Sequence, residues 1–93
     1  MEVTLDHTIL PSYDHMASAR WFASIFDLKE GKSDDQFAVV RVNHTLVLIF
    51  EKTEGSIAHN HYAFRVTVEN FDNIFARISD GGFDHTSTPE SAK

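Results

Sequence analysis

The chain carries six histidines and no cysteine, so any metal or acid–base chemistry rests on imidazole, carboxylate and hydroxyl groups. Two histidines stand out by position. His7 lies in Leu5-Asp6-His7-Thr8-Ile9-Leu10, and His61 in His61-Tyr62-Ala63-Phe64-Arg65-Val66. Each segment reads as a strand leading into an amphipathic helix, which makes a weak internal repeat. Strand side chains alternate between faces. Tyr62, Phe64 and Val66 are the bulky set, expected under a helix, so His61, Ala63 and Arg65 face away from it. By the pseudo-symmetry, His7 takes the equivalent face with Leu5 and Ile9. Two neutral imidazoles converging in one cleft suit a divalent metal. The alternative is a pair of hydrogen-bonded structural histidines. Arg65 suits an anionic ligand, or lays its stem on the sheet with its head in water. His59 reads as a solvated loop residue, and His15, His44 and His85 sit in polar, cap-like or turn contexts without a role. Neither a Ser/His/Asp nucleophile pattern nor a phosphate loop is visible.

The elements that position these residues follow from periodicity. Residues 3–10 read as a strand stopped by Pro11. Asp14 is a helix N-cap. Ala19, Phe22, Ala23 and Phe26 then recur at helical spacing. A short strand is expected near 28–32, a polar turn over 31–35, and a hairpin of strands 37–42 and 45–50 around Asn43-His44. Glu54-Gly55-Ser56 is the clearest break. A strand over 61–68 precedes a second helical face, Phe71, Ile74, Phe75 and Ile78, closed by Gly81-Gly82. Trp21 and the Phe stripes are expected in the core. Asp34-Asp35 and the acidic residues of 51–54 read as solvated turns, and 87–93 as a frayed tail.

Ninety-three residues, 42% of them hydrophobic with eight Phe, are enough for one domain with a packed core. A net charge of −6 repels phosphate backbones, so no nucleic-acid partner is expected. No basic leader or membrane-length apolar run is present, which with the absence of cysteine points to a cytoplasmic protein without a membrane partner.

Leu5-Asp6-His7-Thr8-Ile9, Ala19-Arg20-Trp21-Phe22 and His61-Tyr62-Ala63-Phe64-Arg65-Val66 together resemble the vicinal-oxygen-chelate superfamily of glyoxalases, bleomycin-resistance proteins and extradiol dioxygenases. The resemblance covers roughly residues 3–83. It implies an α+β fold: a βαβββ unit (1–53), an incomplete second βαβ unit (57–86) and the tail, with helices on one side of a curved mixed sheet and a cleft on the other. It also implies that His7 and His61 are first-strand metal ligands for a divalent ion such as Zn, Ni, Mn or Fe. The carboxylate expected in the last strand of the first unit falls where Val47 or Ile49 stands. Glu51 shares their face and is the remaining candidate, as ligand or as proton carrier. The last strands of a full second unit are missing, which favours a homodimer or a fragment of a longer chain.

Three functions follow. Val47 and Ile49 on the cleft face suit a metal-free small-molecule binder with an apolar pocket. The histidines suit a metal-dependent lyase, isomerase, dioxygenase or antibiotic-modifying enzyme, in which a Lewis-acidic metal polarises substrate oxygens and Glu51 moves a proton. The short second unit suits an assembly module without small-molecule activity.

Overall fold

The computed structural model describes residues 1–58 and 61–80, and the chain divides into two compact units, Met1–Ile57 and Ala58–Lys93. The first unit runs β1 (His7–Ser12), α1 (His15–Phe26), β2 (Glu30–Ser33), β3 (Phe37–Arg41) and β4 (Val47–Lys52). Its sheet has the order β1-β4-β3-β2, with β1 parallel to β4 and the other pairs antiparallel. This is the expected βαβββ order. The crossover through α1 supplies the length a parallel return needs, and short turns suffice for the β2–β3–β4 meander.

Helix α1 starts where Asp14 accepts a hydrogen bond from the Ala17 amide at 3.0 Å, the expected cap. It stops at Asp27, whose left-handed backbone (φ 55°) lets the Leu28 amide donate to the Ala23 carbonyl at 2.8 Å. The helix buries Ala19, Phe22 and Ala23 against Ala38, Val40, Leu48 and Phe50. Ala19 and Ala23 keep the helix close to the sheet, and the Phe22 ring lies between Phe26 and Phe50, with centroids 4.7 and 6.2 Å away. Leu48 and Val40 are fully buried. Each aliphatic side chain sealed in this way contributes roughly 1.5–3 kcal/mol.

Several boundaries differ from the sequence reading. Strand β1 begins at His7 and runs through Pro11 to Ser12. The carbonyls of Asp6 and Ser12 accept from the amides of Val47 and Thr53, so even-numbered residues of β1 direct their backbone groups at β4. The missing N–H of Pro11 therefore falls on the opposite side, at the outer edge of this sheet, where it breaks no ladder bond. Strand β4 begins at Val47 because Thr45 and Leu46 belong to the turn. The Asn43 side-chain oxygen accepts from the amides of Thr45 and Leu46 and from the Thr45 hydroxyl, all at 2.9 Å. Gly31 lies within β2 and not in a turn; a Cβ there would meet the Val39 carbonyl oxygen at 2.8 Å. Trp21 is 41% exposed, not core. His15, expected to have no role, is buried and joins helix to sheet: its Nε2 bonds the Asp34 carbonyl at 2.6 Å.

In the second unit, helix α2 (Val68–Asp80) is present and carries the expected apolar stripe. Thr67 caps it, accepting from the Asn70 amide at its hydroxyl and from the Phe71 amide at its carbonyl. Glu69 and Arg77 sit at the ends where the helix dipole favours them. Residues 61–67 form no regular strand, and none of the described residues offers them a ladder partner. Val68, expected to end that strand, opens the helix instead. Tyr62, Phe64, Phe71 and Phe75 are exposed, and the Phe71 and Phe75 rings stack with centroids 6.3 Å apart. His59, Gly81-Gly82, the expected short strand near Phe83, His85 and the tail lie outside the described residues. No helix among the described residues is long and apolar enough to cross a membrane.

Candidate functional site

Helix α1 covers the even-numbered face of the sheet. The odd-numbered residues make the other face, and the strand registers arrange them in three rows. His7, Val47 and Arg41 form the first row, Ile9, Ile49 and Val39 the second, and Pro11, Glu51 and Phe37 the third. Val47, Ile49, Val39, Phe37 and Glu51 are half-buried, whereas His7, Ile9 and Arg41 are exposed. The face therefore has an apolar floor, a basic end at His7 and Arg41, and an acidic end at Glu51.

His7 is held by its neighbour. Its Nδ1 lies 2.8 Å from Asp6 Oδ2, and the Asp6 carbonyl accepts from Val47, which anchors the pair at the start of the ladder. When Nδ1 carries the proton donated to Asp6, the Nε2 lone pair is free for a hydrogen-bond donor or a metal, the arrangement of histidine ligands oriented by a carboxylate.

Glu51 shares the face with His7, as parity predicts, but not the location. It pairs with Pro11, and His7 pairs with Val47. Four residues of strand put the two Cα positions roughly 13 Å apart along the strands, so they do not converge on one ion. Val47 and Ile49 occupy the positions between. A catalytic metal takes three protein ligands as a rule, and no group of three His, Cys, Asp or Glu side chains comes together among the described residues. The first unit thus supplies one donor, His7, and by itself does not fit a metal.

His61 and Arg65 belong to the second unit and are exposed. Arg65 lines an open concavity of about 500 Å³ with Ala63, Phe64, Val66 and Phe71. Asp34, expected as a plain solvated turn, organises the β2–β3 loop. Its carboxylate accepts from the amides of Phe37 and Gln36, both at 2.8 Å, and these bonds, with His15 nearby, lower its pKa.

Sequence reasoning missed Asp6, Arg41, Val39 and Phe37. Asp6 was legible only as the residue before His7. The other three follow from the hairpin: strands 37–41 and 47–52 pair antiparallel, so odd residues of both share a face.

The whole chain matches solved structures. Against the oxidase ChaP-H2 the TM-score is 0.90 with 34% identity, covering 100% of this chain and 73% of that one. Against the oxidase ChaP-H1 it is 0.88 with 39% identity, covering 99% and 74%. A possible glyoxalase from Bacillus cereus shares the fold at 22% identity, with a TM-score of 0.71 over 98% of this chain and 85% of that one. No family model and no curated protein matches the chain. With the βαβββ order, the two oxidase matches establish that the chain belongs to the vicinal-oxygen-chelate superfamily.

Proposed function

We propose that the chain binds a small, largely apolar molecule on the sheet face opposite α1. The observation that carries this reading is the floor itself: Val47, Ile49 and Val39 stand side by side, half-buried, where a buried carboxylate would suit a metal better. Such a surface matches the usual composition of ligand pockets, apolar with few polar anchors at the rim. The test is a thermal-shift screen of small organic molecules against metal-stripped protein. Ligands that raise Tm in the wild type should lose the effect in Ile49→Glu, which puts a charge in the floor. A screen without such ligands, or ligands indifferent to Ile49→Glu, overturns the reading.

A second reading is an oxidase dependent on a divalent metal. It is favoured by the 34% and 39% identity to two oxidases and by the Asp6–His7 pair, which leaves one imidazole nitrogen for a ligand. In this reading His7 and His61 are two donors, a third comes from elsewhere in the assembly, and the metal supplies Lewis-acid activation of substrate oxygens. Glu51 acts as a proton carrier only for a substrate that reaches across the floor from His7. Native mass spectrometry of protein purified without chelators reports metal content and subunit number together. Stoichiometric metal lost in His7→Ala and His61→Ala supports the oxidase reading, and a homodimer supports completion of the site by a second copy. Metal-free protein that also fails to take up added metal sinks it. Protein with neither metal nor any stabilising ligand supports the assembly module instead.

A further inference from the structure

Among the described residues, Arg41 is a cation on the sheet face that forms no ion pair with an acid. It ends β3 beside Val47, in the same row as His7. Its guanidinium donates to the Asn43 carbonyl at 3.1 Å, a bond that leans the head against the hairpin turn and uses one of its five N–H groups. Asp6 pairs with its neighbour His7, and Arg41 takes no part in that pair. Glu51, the acid on this face, lies at the far end of β4, four residues from Val47. In a chain of net charge −6, an arginine with spare donors at the rim of an apolar floor is a feature that surface salt bridging does not account for.

We infer that Arg41 anchors the anionic group of the ligand, so that the molecule bound on this face is an apolar acid (a carboxylate or another resonance-stabilised oxyanion on a hydrocarbon body). The inference rests on the binding reading above and sharpens it from any apolar molecule to one with an anionic end. Guanidinium is the side chain best suited to this: it stays charged at every physiological pH, and its fork presents two parallel N–H groups to an oxyanion. The floor supplies the counterpart. Val47 is the immediate cross-strand neighbour of Arg41, and Ile49 and Val39 follow one row on. An anion held at Arg41 thus directs its hydrocarbon body along Ile49 toward Glu51, whose carboxylate repels a second anion and favours a hydroxyl at that end.

The test compares two probes of one shape, 2-naphthoate and the neutral 2-naphthylmethanol, by amide chemical-shift titration at low salt. We expect both to shift the amides of Val39, Val47 and Ile49, with naphthoate about tenfold tighter, the usual worth of one charge-assisted pair. Arg41→Gln should bring naphthoate down to the affinity of the alcohol and leave the alcohol unchanged. Arg41→Lys should retain part of the preference, since it keeps the charge and loses the fork. Equal affinity of the two probes in the wild type, or a preference that survives Arg41→Gln, overturns the inference while leaving the binding face intact. Failure of both probes to shift the floor amides overturns the binding reading and the inference with it. All variants are checked by thermal melting, and Arg41 is exposed enough that neither should alter the fold.

Discussion

The two units use similar sequence patterns with different results. In the first, a strand precedes an amphipathic helix and three further strands, and every strand has a hydrogen-bonded neighbour. Its stripe of Ala19, Phe22 and Ala23 is buried against the sheet. In the second, the segment 61–67 precedes an amphipathic helix of similar length, but it stands without a ladder among the described residues, and Phe71 and Phe75 of the helical stripe are exposed. The comparison separates two conditions that a sequence pattern merges. Alternation and helical periodicity state which face wants to be buried. Burial itself requires a partner surface, and a strand requires a neighbour to be one at all.

The largest expected effect tests whether stability resides in the first unit. Leu48 is fully buried at the centre of β4, so Leu48→Ala should cost about 2–5 kcal/mol, from lost transfer energy and a cavity. Phe71 is 56% exposed, and Phe71→Ala should cost less than roughly 1 kcal/mol. Urea unfolding of both variants measures the contrast. Similar losses would mean that Phe71 is buried by something beyond its own unit, and the comparison would collapse.

A smaller effect sharpens the same contrast through the helix caps. Asp14→Ala removes the acceptor for the Ala17 amide and should lower global stability by about 1 kcal/mol. Thr67→Ala removes the equivalent bond to Asn70. If α2 opens locally, that change should speed amide exchange within Val68–Asp80 and leave the exchange of β3 and β4 as it was. Equal slowing or speeding across both units would show that they unfold as one.

These contrasts also mark what was legible in the sequence. The βαβββ order, the Asp14 cap and the α1 stripe depend on neighbours close in the chain, and each could be read from spacing. The α+β class followed from them, whereas the superfamily came from the resemblance of the segments 5–9, 19–22 and 61–66. Misplaced features depend on what lies across the sheet. Pro11 looked like a stop because the side of β1 that faces β4 is not visible in one strand. Trp21 looked like core because a large apolar residue in a helix usually is. The face shared by His7, Val47, Ile49 and Glu51 was predicted by parity, yet parity does not give register, and the register puts His7 and Glu51 at opposite ends. Arg41 was missed for the same reason, since its place beside Val47 is a property of the pair of strands.

The smallest effect concerns the loop that joins β2 to β3, where His15 and Asp34 connect helix to sheet. The Asp34 carboxylate accepts from the amides of Phe37 and Gln36, and those bonds, with a lesser contribution from His15, hold its pKa below the ordinary aspartate value. A carboxyl group with a lowered folded-state pKa binds protons less readily in the folded chain than in the unfolded one. Its contribution is therefore complete above the unfolded pKa and fades as pH falls through the folded pKa. Asp34 is exposed, so the contribution is small and screened by salt. Asp34→Asn keeps an oxygen that accepts both amides but removes the titrating charge. The variant should match the wild type in shape near neutral pH and show a shallower loss of stability on acidification below the ordinary aspartate range. Parallel acid limbs for the two proteins would mean that the loop is held by the His15 bond alone. In that case His15→Ala, which removes the buried bond to the Asp34 carbonyl, should loosen the β2–β3 turn at every pH while Asp34→Asn leaves it unchanged.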